Sequence, residues 1–312
     1  MTFNAGLGIG NFPFADGEGF WEWVDLCEAG GVGTLWQSDR LVGREPNLEC
    51  MSVMAALAGR TRRIRFGMNV ASLGLRDPFI LAKACATIDV LSGGRILPMV
   101  AVGSAIGSDY RARGVETKGR GQRTDEGLEI MTRLWTEAEV DFDGKHYQYR
   151  GASIAPHPVQ KPMPLWVGGI APAAIERTAR WGTGWQGGLE TAEQVKPVVD
   201  GIKERLLVHG RSIDEDHYGA GFAYRFGAPA DAACAKTLAA LEKRLGRDGR
   251  EYVAIGGADE IMQRVHEYRD AGIHKFVLRP IADGTADMME QTQRLIDEVL
   301  PAIAAMNQAA AA

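Results

Sequence analysis

The chain has 312 residues, of which 46% are hydrophobic and 24% are charged, the composition of an ordinary globular protein. This composition excludes a disordered or collagen-like chain, and the net charge of −5 gives no electrostatic reason to expect nucleic acid or a membrane as partner. No apolar run reaches the roughly 18 residues that span a bilayer, and the N-terminus lacks the features of a signal peptide. The four cysteines are widely spaced, which predicts free thiols and a cytoplasmic protein.

Short strands alternate with amphipathic helices along the chain, the pattern of an α/β protein. One helix is well marked, because Pro78 suits its first turn and Gly93–Gly94 ends it. At about 138–163 the alternation is interrupted, and the pattern predicts a hairpin-like insertion and a long loop. The predicted strands are residues 4–9, 33–37, 64–70, 96–102, 165–167, 184–186, 218–226 and 275–278. The predicted helices are residues 19–29, 48–58, 78–92, 123–135, 171–180, 192–208, 230–245, 259–271 and 288–304.

Eight strands that alternate with helices predict a (β/α)8 TIM-type barrel, formed by residues 1–312 as a single domain with an insertion at about 138–163. A doubly wound sheet is the alternative. Gly6, Gly8 and Gly10 lie at the end of the first strand, but their spacing is not the G-x-G-x-x-G of a dinucleotide-binding turn. The barrel is therefore the favoured fold.

In such a barrel, ligands bind at the carboxyl ends of the strands. The predicted strand ends carry glycines and arginines, and the chain has no nucleophile-elbow, Walker or His-x-x-x-His motif. A metal-dependent hydrolase is disfavoured because no histidine falls at these ends, and no metal site is predicted. A site without an evident nucleophile or metal indicates that a bound cofactor carries the chemistry.

Several segments together resemble the bacterial luciferase-like family of flavin-dependent oxidoreductases, and the resemblance extends over nearly the whole chain. It implies a barrel with an insertion, often a homodimer, that uses FMN or, alternatively, the deazaflavin coenzyme F420. One subgroup of the family activates oxygen, and the other transfers hydride. The segments are 62–67 (RRIRFG), 76–78 (RDP), 88–95 (IDVLSGGR), 156–162 (PHPVQKP) and 166–169 (WVGG).

The chain also departs from the family pattern at four places. Asp77 stands where the family has histidine between an arginine and a proline. Arg40 stands where the family often has histidine. After the fourth strand, Gly103–Ser104 is followed by Ala105–Ile106, without the usual second glycine and acid. Ile170 stands where many FMN-dependent members have serine. These departures leave open the substrate and the choice between the two cofactors.

We expect the catalytic residues and part of the cofactor site after the second and third strands. Asp39 and Arg40 form a polar pair placed to face the flavin, and Arg40 suits an anionic group of the substrate. The alternative for this pair is a salt bridge at the rim. Asn69 is expected to hydrogen-bond the cofactor, or else nearby backbone. The resemblance places a non-proline cis peptide bond between Asn69 and Val70.

Two glycine-rich turns that open helices are candidates for binding the cofactor phosphate, and tight turns that need positive φ are the alternative. One contains Gly168 and Gly169, the other Gly256 and Gly257. Arg279 is expected to close on the phosphate. The predicted cofactor-binding residues are Asn69, Val70, Gly103, Ser104, Gly168, Gly169, Ile170, Gly256, Gly257 and Arg279.

The principal hypothesis is an oxidoreductase that uses reduced flavin, either to oxygenate a small organic substrate or to transfer hydride to it. The alternatives are a hydride-transfer enzyme that uses only the deazaflavin and a barrel that binds flavin without turnover. A flavin reductase is the expected partner where flavin is loosely held. The loop at about 104–120 and the insertion at 138–163 are expected to close over the site.

Overall fold

The structure, a computed structural model, describes residues 2–104 and 108–311. Strands and helices alternate through these residues. The strands are β1 (Asn4–Ile9), β2 (Thr34–Gln37), β3 (Arg65–Met68), β4 (Ala71–Ser72), β5 (Ile96–Leu97), β6 (Met99–Ala101), β7 (Val140–Asp143), β8 (Gln148–Ala152), β9 (Trp166–Gly168), β10 (Gly184–Gln186), β11 (Tyr218–Ala220), β12 (Ala223–Phe226), β13 (Val253–Gly256) and β14 (Lys275–Pro280).

The helices cover the outside of the strands, and short 3-10 turns follow β4 and precede β11 and β13. A π-helical turn, Leu295–Val299, joins the last two helices. The helices are α1 (Gly17–Ala29), α2 (Cys50–Arg60), α3 (Pro78–Ser92), α4 (Ser108–Ala112), α5 (Arg120–Thr136), α6 (Pro172–Trp181), α7 (Ala192–Val208), α8 (Ala232–Leu245), α9 (Ala258–Asp270), α10 (Gly284–Arg294) and α11 (Leu300–Ala311).

Parallel pairing closes the strands into a ring. β1 pairs with β14 and β2, β2 with β3, and β3 with β5. From β4 the pairing continues through β6, β9, β10 and β11 to β14. β3–β4, β5–β6 and β11–β12 each form one barrel position, and β13 lies outside the ring. The (β/α)8 barrel predicted from the alternation is thereby confirmed.

Several details differ from the prediction. The fourth strand, 96–102, is divided into β5 and β6, and the last helix, 288–304, is divided into α10 and α11 by the π-helical turn. The predicted seventh strand, 218–226, is divided into β11 and β12 because the chain bends at Gly221, where a Cβ would lie 1.8 Å from the Val277 carbonyl oxygen. β13 was not predicted, since it is only four residues long and pairs with β12 alone. The short helix α4 was also missed. The predicted hairpin is present as the antiparallel pair β7–β8.

Local chemistry sets both ends of α3. Asp77 caps its first turn, accepting a hydrogen bond from the Ile80 N–H at 2.9 Å, and Pro78 is the first helical residue. Gly93 ends the helix in the left-handed region, with φ +65°. The predicted start and end of this helix are confirmed, and they fix where the preceding loop, 69–77, leaves the barrel.

Two tryptophans fill the inside of the ring. Trp36 and Trp166 form an inner core that also contains Leu97, Met99 and Val277. A Cβ on Gly67 would lie 2.6 Å from the Trp36 ring, and one on Gly184 would lie 2.6 Å from the Trp166 ring. The glycines therefore make room for large side chains in the barrel. A larger core lies between the ring and the helices.

The cysteines are free and buried, as their spacing predicted. Within the residues that the structure describes, no helix combines the length and the apolar composition that crossing a bilayer requires.

Candidate active site

The carboxyl ends of the barrel strands bring most of the predicted site residues to one mouth. Because the strands of the ring are parallel, residues that follow them lie at the same end. Gly256 and Gly257 are not at this mouth by the same argument, because Gly256 ends β13 and Gly257 follows it, and β13 lies outside the ring. The residues at the mouth are Asp39, Arg40, Asn69, Val70, Gly103, Ser104, Gly168, Gly169, Ile170 and, in β14, Arg279.

The floor of this mouth is apolar and lacks side chains at two points. Val70 is partly exposed and packs on the inner core. A Cβ on Gly168 would lie 3.0 Å from Met99 Cε and 3.6 Å from Val70 Cγ2. A Cβ on Gly8 would lie 3.1 Å from a methyl group of Val277. The absence of these side chains leaves a low apolar surface that suits a planar ring system.

Asn69 has an unpartnered carboxamide beside this floor. The peptide bond between Asn69 and Val70 is cis, at the position that the family resemblance implies. The Asn69 backbone N–H donates to the Gln37 carbonyl at 2.7 Å, which ties this segment to β2. Its side chain is partly exposed and has no hydrogen-bond partner in the described ranges. The carboxamide is available to a ligand.

Asp39, in contrast, is bound by the protein itself. Its side chain is 3% exposed, and Oδ1 accepts from Arg76 Nη2 at 2.8 Å. Oδ2 accepts from the Ser72 N–H at 3.1 Å. The two oxygens thus bind β4, through Ser72, and the residue two positions before α3, Arg76. Both contacts lie close in sequence to the Asn69–Val70 segment. This geometry corresponds to the salt-bridge alternative, although the bridge is buried, and a catalytic role of Asp39 stays a prediction.

Arg76 lies at the centre of a charged cluster that the sequence analysis did not identify. Its Nη2 contacts Glu49 Oε1 at 3.0 Å and Cys50 Sγ at 3.4 Å. Ligand atoms of Asp39, Glu49 and Cys50 lie within 4.8 Å of one another, but the guanidinium contacts all three side chains. Burial acts to lower the pKa of Arg76, and hydrogen bonds to Asp39 and Glu49 raise it above its usual range. The arginine itself is the cation of this cluster.

Two arginines at the mouth have no acidic partner in the part of the chain that is described. Arg40 is exposed and donates to Asn11 Oδ1 at 3.2 Å. Arg279 is partly buried, and its only hydrogen bonds, to the carbonyls of Gly188 and Gly221, are 3.4 Å long. It lines a cavity of about 240 Å³, and burial lowers its pKa. An incoming anion would supply the missing counter-charge.

The two predicted phosphate turns differ in what their amides already bind. No side chain caps the first turn of α6, which begins after Ala171. Gly169, with φ +114°, precedes it, and its carbonyl accepts from Trp185 Nε1 at 2.8 Å. At α9, the Gly257 N–H donates to Glu260 Oε2 at 2.7 Å, and this bond lowers the pKa of the Glu260 carboxyl. The first helical residue of α6, Pro172, has no N–H, and the Ala174 N–H donates to the Ala171 carbonyl at 2.7 Å, so within the described ranges the Ala173 N–H is the first-turn amide left for a phosphate. At α9 a phosphate would meet a carboxylate.

The loop after β6 contains Ala105 and Ile106, and these two positions lie outside the described residues. Before them, Gly103 has φ +74°, and a Cβ there would lie 2.9 Å from Ser72 Oγ. Ser104 is exposed. The turn at Gly103 therefore requires glycine, and it brings the end of β6 against β4.

The β7–β8 hairpin is tied to α5. The Glu126 carboxylate accepts from the backbone N–H groups of Lys145, His146 and Tyr147, at 3.1, 2.8 and 3.2 Å. These bonds hold the hairpin turn, and closure of this segment over the mouth stays a prediction.

Gln186 is a second residue that the sequence analysis missed. It ends β10 and is 1% exposed. Within the described ranges, neither Oε1 nor Nε2 has a hydrogen-bond partner. A Cβ on Gly219 would lie 3.2 Å from Gln186 Oε1, so the amide points into the ring. The sequence did offer one indication of this residue, because Gln186 is a polar residue at the end of an otherwise apolar strand.

Comparison with known proteins gives a consistent family. The family model described as luciferase-like monooxygenase matches residues 15–252. The F420-dependent glucose-6-phosphate dehydrogenase of Amycolatopsis mediterranei is 26% identical over 324 aligned positions, which cover 91% of this chain and 94% of that protein.

Two solved structures share the fold over almost their whole length. An F420-dependent secondary alcohol dehydrogenase, in complex with an F420–acetone adduct, has a TM-score of 0.83 at 17% identity and covers 97% of this chain and 99% of that one. The oxygenating constituent of 3,6-diketocamphane monooxygenase from Pseudomonas putida, in complex with FMN, has a TM-score of 0.79 at 15% identity. That match covers 96% of this chain and 99% of the other.

Proposed function

The chain belongs to the luciferase-like monooxygenase family, and on that premise we propose that it is an oxidoreductase that transfers hydride between coenzyme F420 and a small organic substrate. The support for F420 over FMN is the full-length relative whose name carries F420 dependence. When bound, a deazaflavin supplies a two-electron hydride donor or acceptor, and the protein supplies position and surroundings.

The observation that carries the proposal is the floor of the mouth with Asn69 beside it. Val70 and the bare surface at Gly168 offer a flat apolar support on which a planar ring fits. The Asn69 carboxamide has both a donor and an acceptor free, which suits the polar edge of such a ring. Asp39 and Arg76 hold this segment through their ion pair and the Ser72 N–H.

The phosphate of the cofactor is assigned to the turn of Gly168, Gly169 and Ile170. The uncapped first turn of α6 supports this choice over Gly256 and Gly257, where Glu260 already caps the helix. The Ala173 N–H and the positive end of the helix dipole favour an anion there.

Arg40 and Arg279 are assigned to the anionic groups of the ligands. Both lack an acidic partner in the described ranges, and Arg279 is in addition partly buried. A guanidinium in such surroundings gains most from a carboxylate or a phosphate that binds it in bidentate fashion. Arg40 then orients the substrate, and Arg279 holds the cofactor phosphate or a substrate anion. Gly103 and Ser104 remain predicted contacts at the edge of the site.

FMN-dependent oxygenation is the second candidate, because the matching family is described as monooxygenase. In that case a flavin reductase would supply the reduced cofactor. A barrel that binds flavin without turnover is the remaining alternative, and a turnover assay distinguishes it.

We also propose that residues 1–312 act as one domain, in the cytoplasm, and as a homodimer. The support for the dimer is α3, where Ile80 is 65% exposed and Leu91 is 68% exposed. Large apolar side chains at such exposure favour a partner surface. Light scattering coupled to gel filtration measures the oligomeric state.

The function is tested by adding F420 or FMN to separate samples, desalting them, and recording the visible absorbance that remains with the protein. We expect F420 to be retained and then reduced when alcohols or sugar phosphates are supplied. Gly168→Leu should abolish retention because its side chain fills the floor, whereas Gly59→Leu, at an exposed glycine with open space around it, should not. Retention of FMN with rapid reoxidation by oxygen would support the second candidate, and retention without turnover the third.

A further inference from the structure

Lys275 is a buried cation at the opposite end of the barrel. It begins β14, and its side chain points into the ring, on the same face as Val277. The residue is 8% exposed, and its ammonium lies 5.5 Å from the centre of the Trp166 ring. Within the described ranges it makes no hydrogen bond and no ion pair. A buried charge without a partner is costly.

Arg95 is a second strongly buried cation of the barrel wall, and its hydrogen bonds can be compared with those of Lys275. Arg95 is 9% exposed. Its guanidinium donates to the carbonyls of Ser92, Ile64, Ala58 and Thr61 at 2.8, 3.0, 3.1 and 2.9 Å. The chain therefore satisfies one buried cation completely, whereas the Lys275 ammonium has no protein partner in the described ranges and is left to water or to a ligand.

A second cation faces the same end of the ring. Arg65 begins β3 and donates to Gln160 Oε1 at 2.8 Å, and it too has no ion pair in the described part. Burial, and then the charge of Arg65, lower the pKa of Lys275 to about 8. Asp216 is the acidic group whose charge reaches both, but it is partly exposed and bonds neither.

A cavity of about 390 Å³ opens at this end of the barrel, and its lining includes Arg65, Arg211 and His217 together with the acidic Asp214. Lys275 and Trp166 do not line it, but the Trp166 ring lies 5.5 Å from the His217 ring and 5.5 Å from the Lys275 ammonium. The Trp166 indole N–H is buried and has no partner in the described ranges. Trp166 thus connects Lys275 to a residue of the cavity wall.

We propose that this N-terminal end of the barrel is a second ligand site, which binds a phosphate-type oxyanion between Lys275 and Arg65. Two cations that repel each other become favourable once a divalent oxyanion lies between them, and the indole N–H adds a neutral donor. The site is separate from the mouth, so it stands whether or not the proposed function is correct.

Thermal unfolding of the full chain in phosphate-free buffer, with and without inorganic phosphate at constant ionic strength, tests the site. The Tm of the unmodified protein should rise saturably, by about 5 °C at a hundredfold excess over the Kd. Lys275→Met should have a higher Tm without phosphate, because it removes the unpartnered charge, and should show no phosphate-dependent rise. Lys243→Met, at an exposed lysine of α8, should behave like the unmodified protein.

Two further measurements test the role of Asp216 and the kind of phosphate that binds. Asp216→Asn should lower the Kd for phosphate several-fold, since it removes a competing negative charge. Glycerol phosphate replaces inorganic phosphate in a parallel series, and a larger rise with it identifies a phosphomonoester as the occupant. The proposal is overturned if the phosphate-dependent rise persists in Lys275→Met, which would place the anion elsewhere. It is also overturned if phosphate leaves the Tm of the unmodified protein unchanged, and a lower Tm of Asp216→Asn would then identify Asp216 as the counter-ion.

Discussion

The polar side chains that follow two neighbouring strands, β2 and β3, differ in whether the protein itself hydrogen-bonds them. After β2, both oxygens of Asp39 are bound by Arg76 and by the Ser72 N–H. After β3, the Asn69 carboxamide has no partner in the described ranges. The first group holds the loop together, and the second is available to a ligand. The same contrast separates α9 from α6 and Arg95 from Lys275, and on the proposals above the less satisfied member of each pair lies where a ligand binds.

The largest effect on stability is expected after β2, where the protein itself binds the Asp39 carboxylate. Arg76→Leu leaves Asp39 buried without its cation, and it should lower the free energy of unfolding by about 4 kcal/mol, the cost of removing one member of a buried ion pair. Urea denaturation measures this. The control is Arg60→Leu, because the Arg60–Asp25 pair is about half exposed, at 49% and 52%, and should contribute at most about 1 kcal/mol. Equal losses in the two variants would contradict the structural role of the buried pair.

The unpartnered Lys275 should give stability an unusual dependence on pH. Its pKa is lowered from 10.5 to about 8, so between these values the unfolded chain binds more protons than the folded chain. The free energy of unfolding should therefore rise with pH, by on the order of 3 kcal/mol. The penalty is complete below pH 8 and disappears as the pH approaches 10.5.

Lys275→Met isolates this contribution. In phosphate-free buffer the variant should be more stable than the unmodified protein near neutral pH and nearly equal to it at about pH 10.5. Urea denaturation at the two pH values gives the difference. A difference that does not change with pH would rule out an uncompensated charge at this position.

The contrast between α6 and α9 is sharpened by giving α6 a cap of its own. Ala171 has the extended backbone of an N-cap residue, with φ −67° and ψ 153°. Ala171→Asn and Ala171→Asp should each stabilise the helix, by about 1 kcal/mol. Both should weaken binding of the phosphate-bearing cofactor, because each side chain takes up an amide at the helix start, and the aspartate should bind it about tenfold more weakly than the asparagine, because it adds a negative charge where the phosphate is assigned. Equal affinities of the two variants, measured by absorbance titration, would move the phosphate away from α6.

The sequence predicts the barrel because the alternation of strands and helices is a local pattern, repeated along the chain. Pro78, Gly93 and Asp77 act within a few residues, so the ends of α3 follow from the sequence as well. The pairing of Asp39 with Arg76 does not follow, since it joins residues 37 positions apart. A polar residue at a strand end looks the same whether or not a distant arginine reaches it.

Lys275 shows the second limit of sequence reasoning. Lys275 and Arg279 share one face of β14 with Val277, and charged residues on the face of a strand mostly indicate contact with water. Closure of the ring turns that face inward, and the lysine becomes buried. Whether an alternating charge meets water or a cavity depends on closure, which no local pattern specifies.

The most direct test of the central contrast is one variant with two measurements. Asn69→Leu removes the unpartnered carboxamide at nearly constant size, and its free energy of unfolding and its Kd for F420 are measured side by side. We expect the free energy of unfolding of Asn69→Leu to lie within about 0.5 kcal/mol of that of the unmodified protein. We expect its Kd for F420 to rise about tenfold, because the hydrogen bonds of the carboxamide are lost. A destabilised protein with unchanged cofactor affinity would contradict this expectation, because the carboxamide would then support the fold instead of the ligand.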